Sequence, residues 1–301
     1  MRTPLVEPPP GRFPEPTLVL RGRHFDLSRR VLVMGIVNRT PDSFWDGGTT
    51  TALDAAVGRA LSLVEEGADL VDIGGVSARQ GEAVSPDEEL DRVVPVVERV
   101  RDESDVALSV DTWRAEVAEA ALEAGADLVN DVTGAHEPDI LDVVARYGGA
   151  YVAMHGGPPK TYPFRVGYRP DVVTAAVAHC RELADRAVAA GIAPASVIVD
   201  PGHDFMKTTH HSLALSRHLE EFAALGHAVL VALSNKSFIG ETLGVGLDER
   251  PAGNAAAEAF SVLRGANILR VHDVGATVRT VRMLEALLGW RGPARPTRGL
   301  Q

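Results

Sequence analysis

Several side chains in this sequence share one placement: each falls at the end of an apolar run or in the loop just beyond it, where buried backbone gives way to turn formers. They are Asn38, Asp42, Arg79, Asp111, Asn130, Asp200, Lys207, Lys236, Arg270 and His272. Their chemistry divides in two. Asp111, Asn130 and Asp200 can hydrogen-bond the donor edge of a flat heterocycle, and an ammonium such as that of Lys236 supplies the matching contact at a ring carbonyl or nitrogen. Arg79, Arg270 and His272 form a cationic group suited to phosphate oxygens, which a guanidinium binds bidentately. Asn38 and Asp42 offer hard oxygen ligands, which Mg²⁺ accepts while shared with a substrate phosphate. A planar polar ring beside an anion is the ligand that these residue types describe.

Blander readings compete at each position. An Asp at a strand end can simply hold the amides of the next loop. Asp72, inside its strand, reads as a satisfied structural carboxylate. His203, His210 and His211 near Asp204 invite a zinc reading, but no HExxH or comparable ligand spacing supports it. Among 30 Lys plus Arg residues the lysines are Lys160, Lys207 and Lys236 alone, so arginine is the default cation. Lys207 and Lys236, each just past an apolar run, therefore suggest a need for a compact ammonium rather than a planar fork.

The elements that must position these groups alternate in type along the chain. Val31–Val37 is an apolar run short enough for a strand buried on both faces, and it breaks into polar turn formers at Asn38. Seven later runs repeat that grammar, beginning near Asp69, Val106, Asp127, Ala150, Ser196, Ala228 and Asn267, each followed by a helical pattern. Ser85-Pro86-Asp87-Glu88 marks one helix start, with a capping residue and proline at the first helical position. Helices are expected over about 52–66, 86–101, 114–124, 138–147, 170–190, 211–225, 254–264 and up to 288. Eight strand and helix pairs without a linker imply one (β/α)₈ barrel over residues 17–290, with its site at the carboxyl ends of the strands. Thr17–Leu27 alternates around Arg21-Gly22 as a short hairpin able to plug the barrel's bottom. Residues 1–16 read as a disordered Pro-rich arm and 291–301 as a tail.

Composition narrows the class. Apolar residues make up 45% and aromatics 5% of 301 residues, which suits helices packed on a parallel sheet. A net charge of -11 disfavours nucleic acid and anionic membrane as partners. Cys180 is the single cysteine, expected to be inert packing, and a reducing cytoplasm fits it. No apolar stretch reaches transmembrane length, the Pro-rich start lacks a signal-peptide core, and no Walker A or GxGxxG loop is present.

Several separated segments carry a family resemblance: Gly35-Ile36-Val37-Asn38 with Thr40-Pro41-Asp42-Ser43-Phe44, Asp72-Ile73-Gly74-Gly75, Ser109-Val110-Asp111-Thr112, Val129-Asn130-Asp131, Val199-Asp200-Pro201-Gly202 and Arg270-Val271-His272-Asp273. From about Thr17 to Leu288 the chain resembles bacterial dihydropteroate synthases. The resemblance implies a TIM barrel, usually a homodimer, that condenses a dihydropterin pyrophosphate with p-aminobenzoate in folate biosynthesis and uses Mg²⁺. Carried over by position, Asp111, Asn130, Asp200 and Lys236 would hold the pterin. Asn38, Arg79, Arg270 and His272 would hold pyrophosphate, with Asn38 and Asp42 on the metal. Arg79, Lys236, Arg270 and His272 would serve catalysis, and Phe44, Ala78, Gln80, Phe205 and Ser237 would line the second-substrate pocket.

Departures from the family pattern cluster. Gly74-Gly75-Val76-Ser77-Ala78-Arg79-Gln80 stands where the family reads Gly-Gly-Glu-Ser-Thr-Arg-Pro. His203-Asp204-Phe205-Met206-Lys207 replaces Phe-Gly-Phe-Gly-Lys, and Ser234-Asn235-Lys236-Ser237 replaces Ser-Arg-Lys-Ser. The pterin contacts persist while the second-substrate side is rewritten, which resembles the divergent second synthase copy of actinobacteria. The alternative expectation is therefore a non-catalytic or repurposed pterin-binding paralogue, without turnover of p-aminobenzoate. A methyltransferase domain on the same barrel is disfavoured by the retained Arg270, His272, Asn38 and Asp42, because a methyl donor has no pyrophosphate to hold.

Overall fold

The apolar runs become parallel strands because a chain buried on both faces needs an apolar residue at every position, and these runs supply it. The structure, a computed structural model, describes residues 17–38, 50–76, 84–156 and 167–298. A hairpin, β1 (Thr17–Leu20) and β2 (Arg23–Asp26), precedes the barrel. The barrel strands are β3 (Leu32–Asn38), β4 (Leu70–Gly74), β5 (Ala107–Asp111), β6 (Leu128–Asp131), β7 (Ala150–Met154), β8 (Val197–Asp200), β9 (Ala228–Val231) and β10 (Ile268–Val271). They close in the order β10-β3-β4-β5-β6-β7-β8-β9, every described pairing parallel. The helices between them are α1 (Thr50–Glu65), α2 (Pro86–Glu103), α3 (Ala115–Glu123), α4 (Asp139–Arg146), α5 (Val172–Ala189), α6 (Thr209–Arg217), α7 (Leu219–Ala223), α8 (Ser237–Leu243), α9 (Pro251–Leu263) and α10 (Val274–Leu287).

Alternation along each strand divides the core. Outward residues such as Val71, Ile73, Leu108, Val110, Val129 and Val199 join the helix faces in one cluster. Inward residues such as Leu32, Met34, Leu70, Ala107, Leu128, Ile198, Leu230 and Ile268 form a second cluster inside the barrel. Leu18, Leu20 and Leu27 belong to that inner cluster, so the hairpin plugs one end of the barrel as expected. Polar ties fasten it: the Ser196 hydroxyl donates to the Val19 carbonyl at 2.8 Å, and Arg21 donates to the Leu122 and Ala126 carbonyls at 3.2 and 3.1 Å.

Two helix boundaries differ from the sequence reading. The expected helix over 211–225 is broken at His218, whose backbone (φ -120°, ψ 31°) leaves the helical region and separates α6 from α7. The loop after β9 contains α8, a short helix closed by Gly244 in the left-handed region at φ 70°. At α2 the Ser85 hydroxyl accepts the Glu88 N–H at 3.2 Å as expected, while the Glu88 carboxylate turns to Arg92 one turn on.

Candidate functional site

Inward positions change from apolar to polar along each strand, and that gradient builds the site. On β4 the inward sequence is Leu70, Asp72, Gly74; on β5 it is Ala107, Ser109, Asp111; on β10 it is Ile268, Arg270 and then His272. Register fixes the neighbours: Gly74 lies level with both Asn38 and Asp111, and Asp111 is level with Asn130. Gly74 matters for its smallness, since a Cβ there would touch Asn38 Oδ1 and Asp111 Cβ, each at 3.5 Å.

At the centre is a guanidinium between two carboxylates. Arg270 donates Nε–H to Asp72 Oδ2 at 2.5 Å and Nη2–H to Asp111 Oδ2 at 2.6 Å. Asn130 Nδ2 donates to the same Asp72 Oδ2 at 3.1 Å. Burial pushes the Asp111 carboxyl above the usual range; Arg270 opposes that shift, and Asp72 adds to it by repulsion. Burial works against the charge on Arg270, yet Asp72 and Asp111 more than offset it and keep the guanidinium firmly charged. Behind β5, the Thr112 hydroxyl donates to Glu89 Oε1 at 2.6 Å and Arg114 pairs with the same carboxylate, so α2 anchors the end of the strand that carries Asp111.

Across the mouth, Asp200 ends β8 and Oδ1 accepts the Gly202 N–H at 2.7 Å. Burial raises its pKa, against the pull of Lys236 and the weaker pulls of Lys207 and Arg270. Gly202 has φ +71°, and a Cβ there would lie 2.2 Å from the His155 carbonyl oxygen, so the sharp turn after Asp200 requires glycine. Lys236 Nζ donates to the His203 carbonyl at 2.5 Å and lies 4.7 Å from the centre of the Phe205 ring. Lys207 turns inward, donating Nζ to the carbonyls of His155 and Phe205 at 2.8 and 2.9 Å, and burial draws its pKa down to about 7. It braces the loop from beneath. His272 places Nδ1 3.2 Å from the Ser234 hydroxyl.

The structure thus gathers Asn38, Asp111, Asn130, Asp200, Lys236, Arg270 and His272 at the carboxyl end of the barrel, with Phe205 and Ser237 on the β8 and β9 side. Asp42, Phe44, Ala78, Arg79 and Gln80, with Lys160, lie outside the described residues. Asp72, read from the sequence as a satisfied structural carboxylate, pairs through Oδ2 with Arg270 and Asn130, while its Oδ1 is buried without a hydrogen-bond partner among the described residues. Alternation from Asp111 and Arg270 to their inward neighbours was the signal that could have found it. Cys180 is the buried packing residue expected, its thiol pushed by burial up to about 12. The loop 203–207 carries Asp204 and Met206 at φ 64° and 52°. It is fixed by contacts at each end: Asp204 Oδ2 accepts the Phe238 N–H at 3.3 Å, and the Tyr168 hydroxyl donates to the Met206 carbonyl at 2.7 Å.

Among the described residues, no cluster of three His, Cys, Asp or Glu side chains could hold a metal ion. Asn38 supplies one hard carboxamide oxygen at the rim beside Gly74, a donor that suits Mg²⁺ only if phosphate oxygens and water complete its shell. No helix among the described residues is long and apolar enough to cross a membrane.

A family model described as pterin binding enzyme matches residues 34–272. Over 277 residues the chain is 48% identical to a Mycobacterium leprae protein named inactive dihydropteroate synthase 2, covering 90% of this chain and 95% of that one. It is 42% identical over 265 residues to the dihydropteroate synthase of Bacillus subtilis, covering 87% of this chain and 90% of the relative. The structure of Xanthomonas albilineans dihydropteroate synthase with 4-aminobenzoic acid superposes with a TM-score of 0.83 at 44% identity, covering 94% of this chain and all of that one.

Proposed function

The chain belongs to the pterin-binding enzyme family of dihydropteroate synthases, and from that premise we propose that it is a dihydropteroate synthase-type transferase. It joins 6-hydroxymethyl-7,8-dihydropterin pyrophosphate to p-aminobenzoate or a related aryl amine and releases pyrophosphate. The observation that carries this reading is Arg270 held between Asp72 and Asp111 beside Asn130, which sets a guanidinium for an anion against acceptors for a heterocycle's donor edge. Asp111 and Asp200 accept from the ring's N–H groups, the Asn130 carboxamide can accept or donate, and Lys236 supplies the ammonium.

The reaction breaks the C–O bond at the pterin methylene as the amine nitrogen forms the new C–N bond; pyrophosphate leaves with the electron pair and the amine gives up a proton. The demand on the protein is electrostatic. Arg270 and His272 stabilise charge growing on the leaving oxygen, and Arg79, by family position, joins them. Mg²⁺, held by Asn38 and Asp42 together with the pyrophosphate, would supply further charge neutralisation. Our reading extends to a cytoplasmic homodimer. Supporting the second point, Leu243 and Leu247 by α8, Phe260 and Leu263 on α9 and Met283 and Leu287 on α10 are large apolar residues left exposed on successive elements.

A second reading is a pterin-binding paralogue without p-aminobenzoate turnover. It is favoured by the printed name of the Mycobacterium leprae relative and by the rewritten second-substrate side, where Asp204 and Met206 stand at family glycine positions. One experiment separates the two. Purified protein with dihydropterin pyrophosphate, p-aminobenzoate and Mg²⁺ should release pyrophosphate dependent on both substrates. Pterin binding by calorimetry without release would establish the second reading, and absence of both would overturn the two together.

A further inference from the structure

Asp72 sits one inward position deeper than Gly74 on β4 and is fully buried. Its Oδ2 accepts from residues that serve different halves of the substrate in the reading above: Arg270 Nε at 2.5 Å on the anion side and Asn130 Nδ2 at 3.1 Å on the ring side. A purely structural carboxylate in such a place would use both oxygens, because an unpaired buried acceptor destabilises the fold. Here Oδ1 has no partner among the described residues, and neither has the hydroxyl of Ser109, the register neighbour of Asp72 on β5. Arg270 is thus tethered twice, inside at Asp72 and at the mouth at Asp111, and the outer tether is also a ring acceptor.

We propose that Asp72 is a positioning residue that couples pterin binding to pyrophosphate binding, by keeping Arg270 in place while Asp111 exchanges the guanidinium for the ring. The inference rests on the pterin-binding reading and deepens it. When ring N–H groups take Asp111, the outer tether of Arg270 is released, yet Nε stays on Asp72. The guanidinium then pivots about its inner bond and presents Nη to the anion, so the ring prepares the phosphate subsite. With the Asp72 charge removed, Arg270 has Asp111 as its remaining carboxylate partner among the described residues, the ring must displace it outright, and the released fork has no fixed pivot.

Calorimetry with inorganic pyrophosphate in Mg²⁺ buffer, with and without saturating 6-hydroxymethylpterin, tests this. In the wild type the pterin should tighten pyrophosphate binding by about tenfold, within the usual range for coupled sites. In Asp72→Asn, checked for folding by near-UV circular dichroism, that ratio should fall to about one. If Asp72→Asn does not fold, Arg270→Lys serves: an ammonium cannot hold both carboxylates as a fork does, so the ratio should again approach one. A folded variant that keeps the wild-type ratio overturns the proposal, as does a wild type that binds pterin with no effect on pyrophosphate. A wild type that binds no pterin overturns the functional reading itself, and this inference with it.

Discussion

At the scale of single residues, the buried carboxylates have opposite uses. Burial raises the pKa of Asp111 against the pull of Arg270, and a ring N–H needs the ionised form as its acceptor. Pterin affinity should therefore rise with pH as Asp111 ionises above the ordinary carboxylate range. In Asp111→Ala it should be lost, because the remaining buried groups lose a partner; unchanged affinity in calorimetry would remove Asp111 from the site. Glu258, against the Thr277 hydroxyl at 3.1 Å, is instead a stability group whose pKa burial raises to about 7 from the model-compound 4.5. A carboxyl raised on folding contributes its full stability below the unfolded value and loses it as pH climbs through the folded one. Glu258→Gln should accordingly match the wild type near pH 4 and exceed it by about 2–3 kcal/mol at pH 8 in chemical denaturation. Sequence position revealed Asp111, Asn130, Asp200 and Arg270 because each ends an apolar run. It hid Asp72, which is surrounded by apolar neighbours in the chain and meets its polar partners only across the barrel. Lys207 was expected to need a compact ammonium, and the structure supplies the use: its Nζ serves two loop carbonyls.

At the scale of elements, the strands were legible and some of the helices were not. A doubly buried strand needs an unbroken apolar run, which the sequence displays openly, and the hairpin's alternation likewise foretold which residues plug the barrel. The break at His218 has no proline or glycine to announce it, and α8 is too short to show a helical period. The turn after β8 makes the sharpest demand on local geometry. Gly202→Ala would place a methyl group against the His155 carbonyl at positive φ and disturb the amide that holds Asp200. Roughly 3 kcal/mol should be lost in urea denaturation, together with pterin binding. A variant as stable as the wild type would show that the turn is not the constraint that places Asp200.

At the scale of the whole molecule, the exposed apolar residues of α8, α9 and α10 argue for a second copy of the chain. Analytical ultracentrifugation should find a dimer, and Leu263→Asp with Met283→Asp should give a monomer with the barrel's circular dichroism intact. A monomeric wild type would exclude this face as the interface. The sequence alone did not supply that face, since an apolar residue in a helical pattern reads as core until the packing of these successive helices shows which positions the barrel leaves uncovered. The hairpin across the barrel's floor has a last consequence, for traffic. A barrel packed within and stoppered below leaves the carboxyl end of its strands as the open end, so what enters and what leaves must share one doorway.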